Sequence, residues 1–136
     1  MGSDISIAAV GDATVLRRPG KESVQILWPE NAPDAQMTIT RVTMQPGAVS
    51  PPHVHQHSEQ VWIVEKGSAT MLFADGSTTA IGAGQVVRTP AGVSHGVENS
   101  SSAEFCYLSV TSPPEDFTRH YDQPVPPPST ITPACR

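Results

Sequence analysis

Three of the five histidines in this 136-residue chain fall at alternate positions: His53, His55 and His57, in the run Pro51-Pro52-His53-Val54-His55-Gln56-His57. On an extended strand alternate residues share a face, so His53 and His55 turn their imidazoles toward one point. Two neutral imidazoles so placed begin a metal site, because each offers one lone pair while a neighbour holds its other ring nitrogen. His57 joins that face only if the strand runs on regularly, and a turn before Val61 opposes this. Nitrogen-rich donors without a thiolate suit one divalent transition ion, Fe, Ni, Cu, Zn or Mn. A centre that keeps a coordination position open for water or substrate is catalytic rather than structural.

The residues around this pair keep fixed distances. Gly47 is followed by five residues and then His53-Val54-His55; three or four more lead to Glu59 or Gln60, and the block ends at Gly67. Downstream, Gly84 is followed by five residues, then Pro90-Ala91-Gly92, two more to His95 and three more to Asn99. These two blocks resemble the two signature motifs of the cupin superfamily, G-x5-H-x-H-x3–4-E-x6-G and G-x5-P-x-G-x2-H-x3-N, and the second matches at every specified position. The resemblance covers about residues 37–110. It implies an all-β fold, a double-stranded β-helix (jelly-roll) barrel, and one metal held by His53, His55, His95 and a fourth residue of the first block. Asn99 is expected to serve backbone hydrogen bonds rather than the metal.

The fourth ligand is where the sequence departs from the motif. Counting back from Gly67 puts it at Gln60; counting on from His55 by the shorter spacing puts it at Glu59. Strand alternation favours Gln60, which would face inward with Trp62 and Val64 while charged Glu65 faces out. Three imidazoles and a neutral amide would leave the ion's double charge uncompensated, a stronger Lewis acid suited to an anionic substrate. Glu59 would halve that charge and hold the metal more tightly.

The elements that must position these residues follow from punctuation. Fourteen prolines and ten glycines recur between short apolar runs, which reads as many short strands joined by turns. Strands are expected at 23–27, 37–44, 61–65, 69–73, 85–89, 93–99 and 104–110, with Asp75-Gly76 closing a tight hairpin. Pro90 and Gly92 make a turn that returns the chain so that His95 can face the first pair. One short C-terminal helix is expected at 114–121, opened by prolines with Glu115 and Asp116 at its positive end. The five prolines after Gln123 read as an extended tail over about 122–136. The whole chain, 1–136, is expected to form a single domain.

Composition narrows the function. Eight basic and thirteen acidic side chains give a net charge of -5, and without basic clusters no nucleic acid is expected as a partner. No apolar run reaches the ~20 residues of a membrane span. The chain start does not read as a secretory signal, Cys106 in its apolar run reads as a buried thiol, and two cysteines imply no disulfide framework, so a cytoplasmic location is expected. Trp62 and Phe73 should line the barrel, Arg41 and Arg88 should form solvent-facing salt bridges, and His120 should lie on the surface. The expected function is a metal-dependent enzyme of dioxygenase, isomerase or lyase type acting on a small polar or carboxylate-bearing molecule. The alternative is a non-catalytic small-ligand-binding or sensor module, because one fold hosts many activities. Small members of the family resembled here commonly pair, so a homodimer is expected, with the apolar stretch 5–10 able to add a strand.

Overall fold

Short extended runs broken by proline and glycine can satisfy their backbone groups only by pairing with one another. The computed structural model describes residues 4–122, and in it the runs build two antiparallel sheets. The strands are β1 Val15–Arg18, β2 Lys21–Leu27, β3 Thr38–Met44, β4 Val49–His53, β5 Glu59–Lys66, β6 Ser68–Phe73, β7 Thr78–Gly82, β8 Val86–Thr89, β9 His95–Glu98 and β10 Phe105–Ser112. The larger sheet runs β1-β2-β3-β10-β5-β8 and the smaller β4-β9-β6-β7, the double-stranded β-helix expected above.

Val42, Met44, Trp62, Val64, Met71 and Phe105 fill the space between the sheets, each contributing about 1.5–3 kcal/mol by leaving water. Period-two alternation on β5 decides which face the site can use. Gln60, Trp62 and Val64 are buried, while Glu59, Ile63 and Glu65 turn outward. On that outer face Arg41 pairs with Glu65 at 3.0 Å and Arg88 with Glu59.

Several expectations need correction. β1 and β7 were not foreseen, and the strand expected to carry both His53 and His55 ends at His53 as β4. β4 carries Pro51 and Pro52, which lack N–H donors, yet it survives as the edge of the smaller sheet, its register to β9 shifting between Ser50 and His53. β7 is an edge strand of mostly exposed residues with only Ile81 buried, so it shows little hydrophobic period. Phe73, expected to line the barrel, is 39% exposed. The C-terminal helix is absent from the described residues: only Thr118–His120 forms a 3-10 turn. Its would-be first turn is held elsewhere, for the backbone N–H and C=O of Glu115 both bond the Thr38 hydroxyl of β3, at 2.9 and 2.7 Å. Residues 5–9 form no strand, and Val10–Asp12 is another 3-10 turn. No cysteine among the described residues is free, so Cys106 is not the unpaired thiol expected; Cys135 and nearly all the proline-rich tail lie outside the described residues.

Within the smaller sheet, the two histidine-bearing strands β4 and β9 approach closely. A Cβ on Gly96 would stand 2.7 Å from the Ser50 carbonyl oxygen and 2.7 Å from the Pro52 nitrogen, both backbone atoms of β4. Gly96→Ala is therefore expected to lower stability by about 1–3 kcal/mol. Gly11→Ala, where nothing lies within 4 Å of the new Cβ, should be near neutral. Urea unfolding midpoints of the two variants check the contrast, and equal midpoints would refute the close approach.

Candidate metal centre

His53 ends β4 and His95 opens β9, and the two are partners across the sheet. Their ring centroids lie 4.6 Å apart. His55 follows just beyond the end of β4, not on the strand itself, and is held because its carbonyl accepts the Gly92 N–H at 2.8 Å. The turn Pro90-Ala91-Gly92 thus locks the first histidine block to the second. The result is one cluster: His53 and His55 centroids are 4.9 Å apart, His55 and His95 5.3 Å. One ring nitrogen from each of the three lies within 4.8 Å of the others.

The hydrogen bonds orient these rings. Nδ1 of His53 lies 2.8 Å from the Pro51 carbonyl, which can only accept, so the proton sits on Nδ1 and Nε2 keeps its lone pair. Gln60 is held from both ends, its Nε2 donating to the Thr111 hydroxyl at 3.0 Å and its Oε1 accepting the Trp62 indole N–H at 2.8 Å. Indole N–H can only donate, which fixes the amide with Oε1 toward the cluster, 3.2 Å from Nε2 of His95. Nδ1 of His55 stands 2.8 Å from Oε2 of Glu115 but off the line of a hydrogen bond. Both ring nitrogens of His55 and that carboxylate oxygen are therefore buried without a hydrogen-bond partner, a cost of about 1–3 kcal/mol for each such group. A set of buried nitrogen acceptors closing on one point, with a carboxylate behind one ring, fits a divalent cation.

Electrostatics keeps the rings in the form a metal needs. Burial first, then His53 and His55, pushes the pKa of His95 down to about 4. Burial likewise lowers His53, and burial, then Arg119, takes His120 to about 4. Neutral imidazole is the ligating form.

The other candidates fall outside the cluster. Glu59 lies on the outer face of β5 against Arg88, and His57 is exposed. Asn99 is buried, and its amide donates to the Met44 and Ala103 carbonyls, each at 2.9 Å, the backbone role expected of it. Sequence reasoning missed the chain after β10, which crosses the barrel mouth instead of coiling into a helix. Ser58 bonds the Pro113 carbonyl at 2.8 Å, and the Asp122 N–H bonds the Arg17 carbonyl at 2.8 Å. This strap sets Phe117 edge-on to His55 at 5.7 Å and puts His120 5.8 Å from His53. His120 is thus half-buried beside the cluster, not on the surface as expected. Its only signal in the sequence was a histidine between aromatics in a proline-interrupted segment. His53, His55, Gln60, Trp62 and His120 line a cavity of about 440 Å³.

Comparison with known proteins places this architecture. A family model described as a cupin domain matches residues 40–111. Among solved structures, a double-stranded β-helix protein from Klebsiella pneumoniae aligns with a TM-score of 0.67 and 23% identity, over 82% of this chain and 93% of the other. A predicted oxalate decarboxylase from Thermotoga maritima aligns at 0.67 and 22%, over 79% and 98%. The polyketide cyclase RemF from Streptomyces resistomycificus aligns at 0.66 and 23%, over 80% of each chain. At these identities the likeness is one of fold. A search of curated proteins finds no match.

The depressed imidazoles have a consequence for stability. An unfolded histidine titrates near ~6.5, whereas His95 in the fold titrates at about 4. Between those values the unfolded chain binds protons that the folded chain does not, so stability is present above pH ~6.5 and is lost as the pH falls toward 4. His95 alone accounts for roughly 3 kcal/mol of this loss. Urea unfolding of metal-stripped protein at pH 7 and pH 4.5 should show the midpoint falling at the lower pH, and a smaller fall in His95→Ala would assign that residue's share, with His53 and His120 supplying the remainder.

Proposed function

Because the chain belongs to the cupin family, we propose that it is a metal-dependent enzyme of dioxygenase, isomerase or lyase type, acting on a small polar or carboxylate-bearing molecule. The observation that carries this reading is the convergence of His53, His55 and His95 within 4.8 Å beside a cavity large enough for a small metabolite. Two of the structural neighbours, named as a predicted oxalate decarboxylase and a polyketide cyclase, lend support.

In this reading His53, His55 and His95 hold the ion, and Oε1 of Gln60 is the fourth donor. A divalent ion in such a site acts as a Lewis acid, and a wholly neutral donor set leaves its full charge to attract and polarise an anionic substrate. The chain's own residues do the rest. Pro51 fixes the tautomer of His53, and Trp62 and Thr111 keep the Gln60 oxygen turned inward. Glu115 sits behind His55, its Oε2 2.8 Å from Nδ1, where it can orient the ring. Phe117 closes the mouth over His55 and excludes water from that side.

The test begins with metal. Protein made without a histidine tag should carry about one equivalent of a divalent transition ion, and His53→Ala and His95→Ala should each lower the affinity about 10–100-fold or more. Loaded protein screened against small oxo-acids, hydroxy-acids and diketones should then show turnover that His53→Ala abolishes. Equal turnover in that variant would refute the proposal, and saturable binding without product would mark a ligand-binding module instead.

We further propose that the chain forms a homodimer through its N-terminal segment, where Ile5, Ile7 and Val10 are 91%, 94% and 43% exposed and would leave water on pairing with a second copy. Sedimentation should give a dimer for the native chain and a monomer for Ile5→Ser/Ile7→Ser. A monomeric native chain would overturn it.

A further inference from the structure

Arg18 and Lys21 flank the two-residue turn Pro19-Gly20 and are partners across the β1–β2 hairpin. Like charges set opposite each other on paired strands repel. Four other cations of the fold are neutralised on its surface, Arg17 with Glu22, Arg41 with Glu65, Lys66 with Glu104 and Arg88 with Glu59, while Arg119 lies exposed. Arg18 and Lys21 have no carboxylate partner among the described residues. Both instead donate to one hydroxyl, that of Ser50, with Nη2 of Arg18 at 3.1 Å and Nζ of Lys21 at 2.7 Å; Nη2 also bonds the Val49 carbonyl at 2.8 Å. Ser50 is buried in β4, on the strand that ends in His53. Its oxygen accepts twice, which leaves its own proton free to donate.

Both cations line the cavity that His53 and His55 line, and no Asp or Glu of the described residues lines it. The wall between is aromatic. Trp62 stacks on Tyr107 with centroids 4.2 Å apart, and the Tyr121 ring lies 5.4 Å from Nζ of Lys21. We propose that Arg18, Lys21 and the Ser50 hydroxyl form an anion subsite that seats the carboxylate of a small organic acid, its apolar body lying along this aromatic wall. The inference deepens the function proposed above and rests on it for one point, that the other end of the molecule reaches the imidazole cluster.

A carboxylate suits the donors better than a phosphate. The guanidinium fork and the ammonium can hold either anion, and the apolar aromatic wall with a single shared hydroxyl suits the smaller, less charged carboxylate. Burial, then Arg18, pulls Lys21 down to about 7, so near neutral pH the pair carries between one and two charges and matches a monoanion. Arg18 and Lys21 also precede residues 40–111, the span that matches the family model.

Calorimetric titration of the full chain with benzoate, benzamide and phenyl phosphate tests the subsite, with metal content measured on the same samples. Native protein should bind benzoate saturably and more tightly than either other probe. Arg18→Gln/Lys21→Gln should weaken benzoate at least about tenfold and leave benzamide and metal content unchanged. Should the double variant fail to fold, the single exchanges Arg18→Gln and Lys21→Gln, which keep a donor toward Ser50, are expected to show part of the same loss. No saturable benzoate binding, equal binding of benzamide, tighter binding of phenyl phosphate or an unaffected double variant would each overturn the proposal. If the native chain holds no more metal than His53→Ala while benzoate binding still depends on Arg18 and Lys21, the metal reading fails and the subsite stands.

Discussion

The site depends on how closely β9 lies against β4. At Gly96 the two backbones approach to a distance that leaves no room for a Cβ, 2.7 Å from it to backbone atoms of β4. That approach sets His53 and His95 side by side as strand partners. One histidine comes from the first block of the sequence and one from the second, so neither block alone supplies the cluster. The hydrogen bond from Gly92 to the His55 carbonyl fastens the blocks a second time, and the third imidazole enters the cluster through it. A strand with prolines at its centre can take this part only because it is an edge strand, where missing donors cost little.

Burial gives the cluster its chemical character. Imidazoles removed from water resist protonation, which is why His95 titrates at about 4 and presents a lone pair at neutral pH. The same low-dielectric cavity makes the unpaired cations Arg18 and Lys21 expensive to hold together, and they are kept by a shared serine rather than by an acid. Imidazoles, a neutral glutamine amide and two basic side chains line one cavity, with no Asp or Glu of the described residues on its wall.

The strap after β10 shows how tertiary contacts override local preference. Prolines followed by Glu115 and Asp116 are a reasonable start for a helix, and residues 114–121 carry no strong signal against one. Thr38 captures both backbone groups of Glu115, and the segment then lies across the barrel mouth. Glu115, Phe117 and His120 reach the cluster by this route. Thr38 is 77 residues away, and no local pattern encodes that bond.

The fold and the three-histidine set were legible because they rest on periodicity and spacing. Alternation on β5 turns Gln60 inward and Glu59 out, and glycine and proline at fixed intervals mark the turns that bring His95 back. Those are short-range constraints of backbone geometry, written in neighbouring residues. What only the tertiary structure decided are the groups that arrive from a distance: Glu115 behind His55, His120 beside His53, and Arg18 with Lys21 on the cavity wall. Phe73 facing out and Cys106 not being free belong with them. Each is settled by which surfaces meet after folding, and a hydrogen bond between segments tens of residues apart leaves no periodic trace in either one.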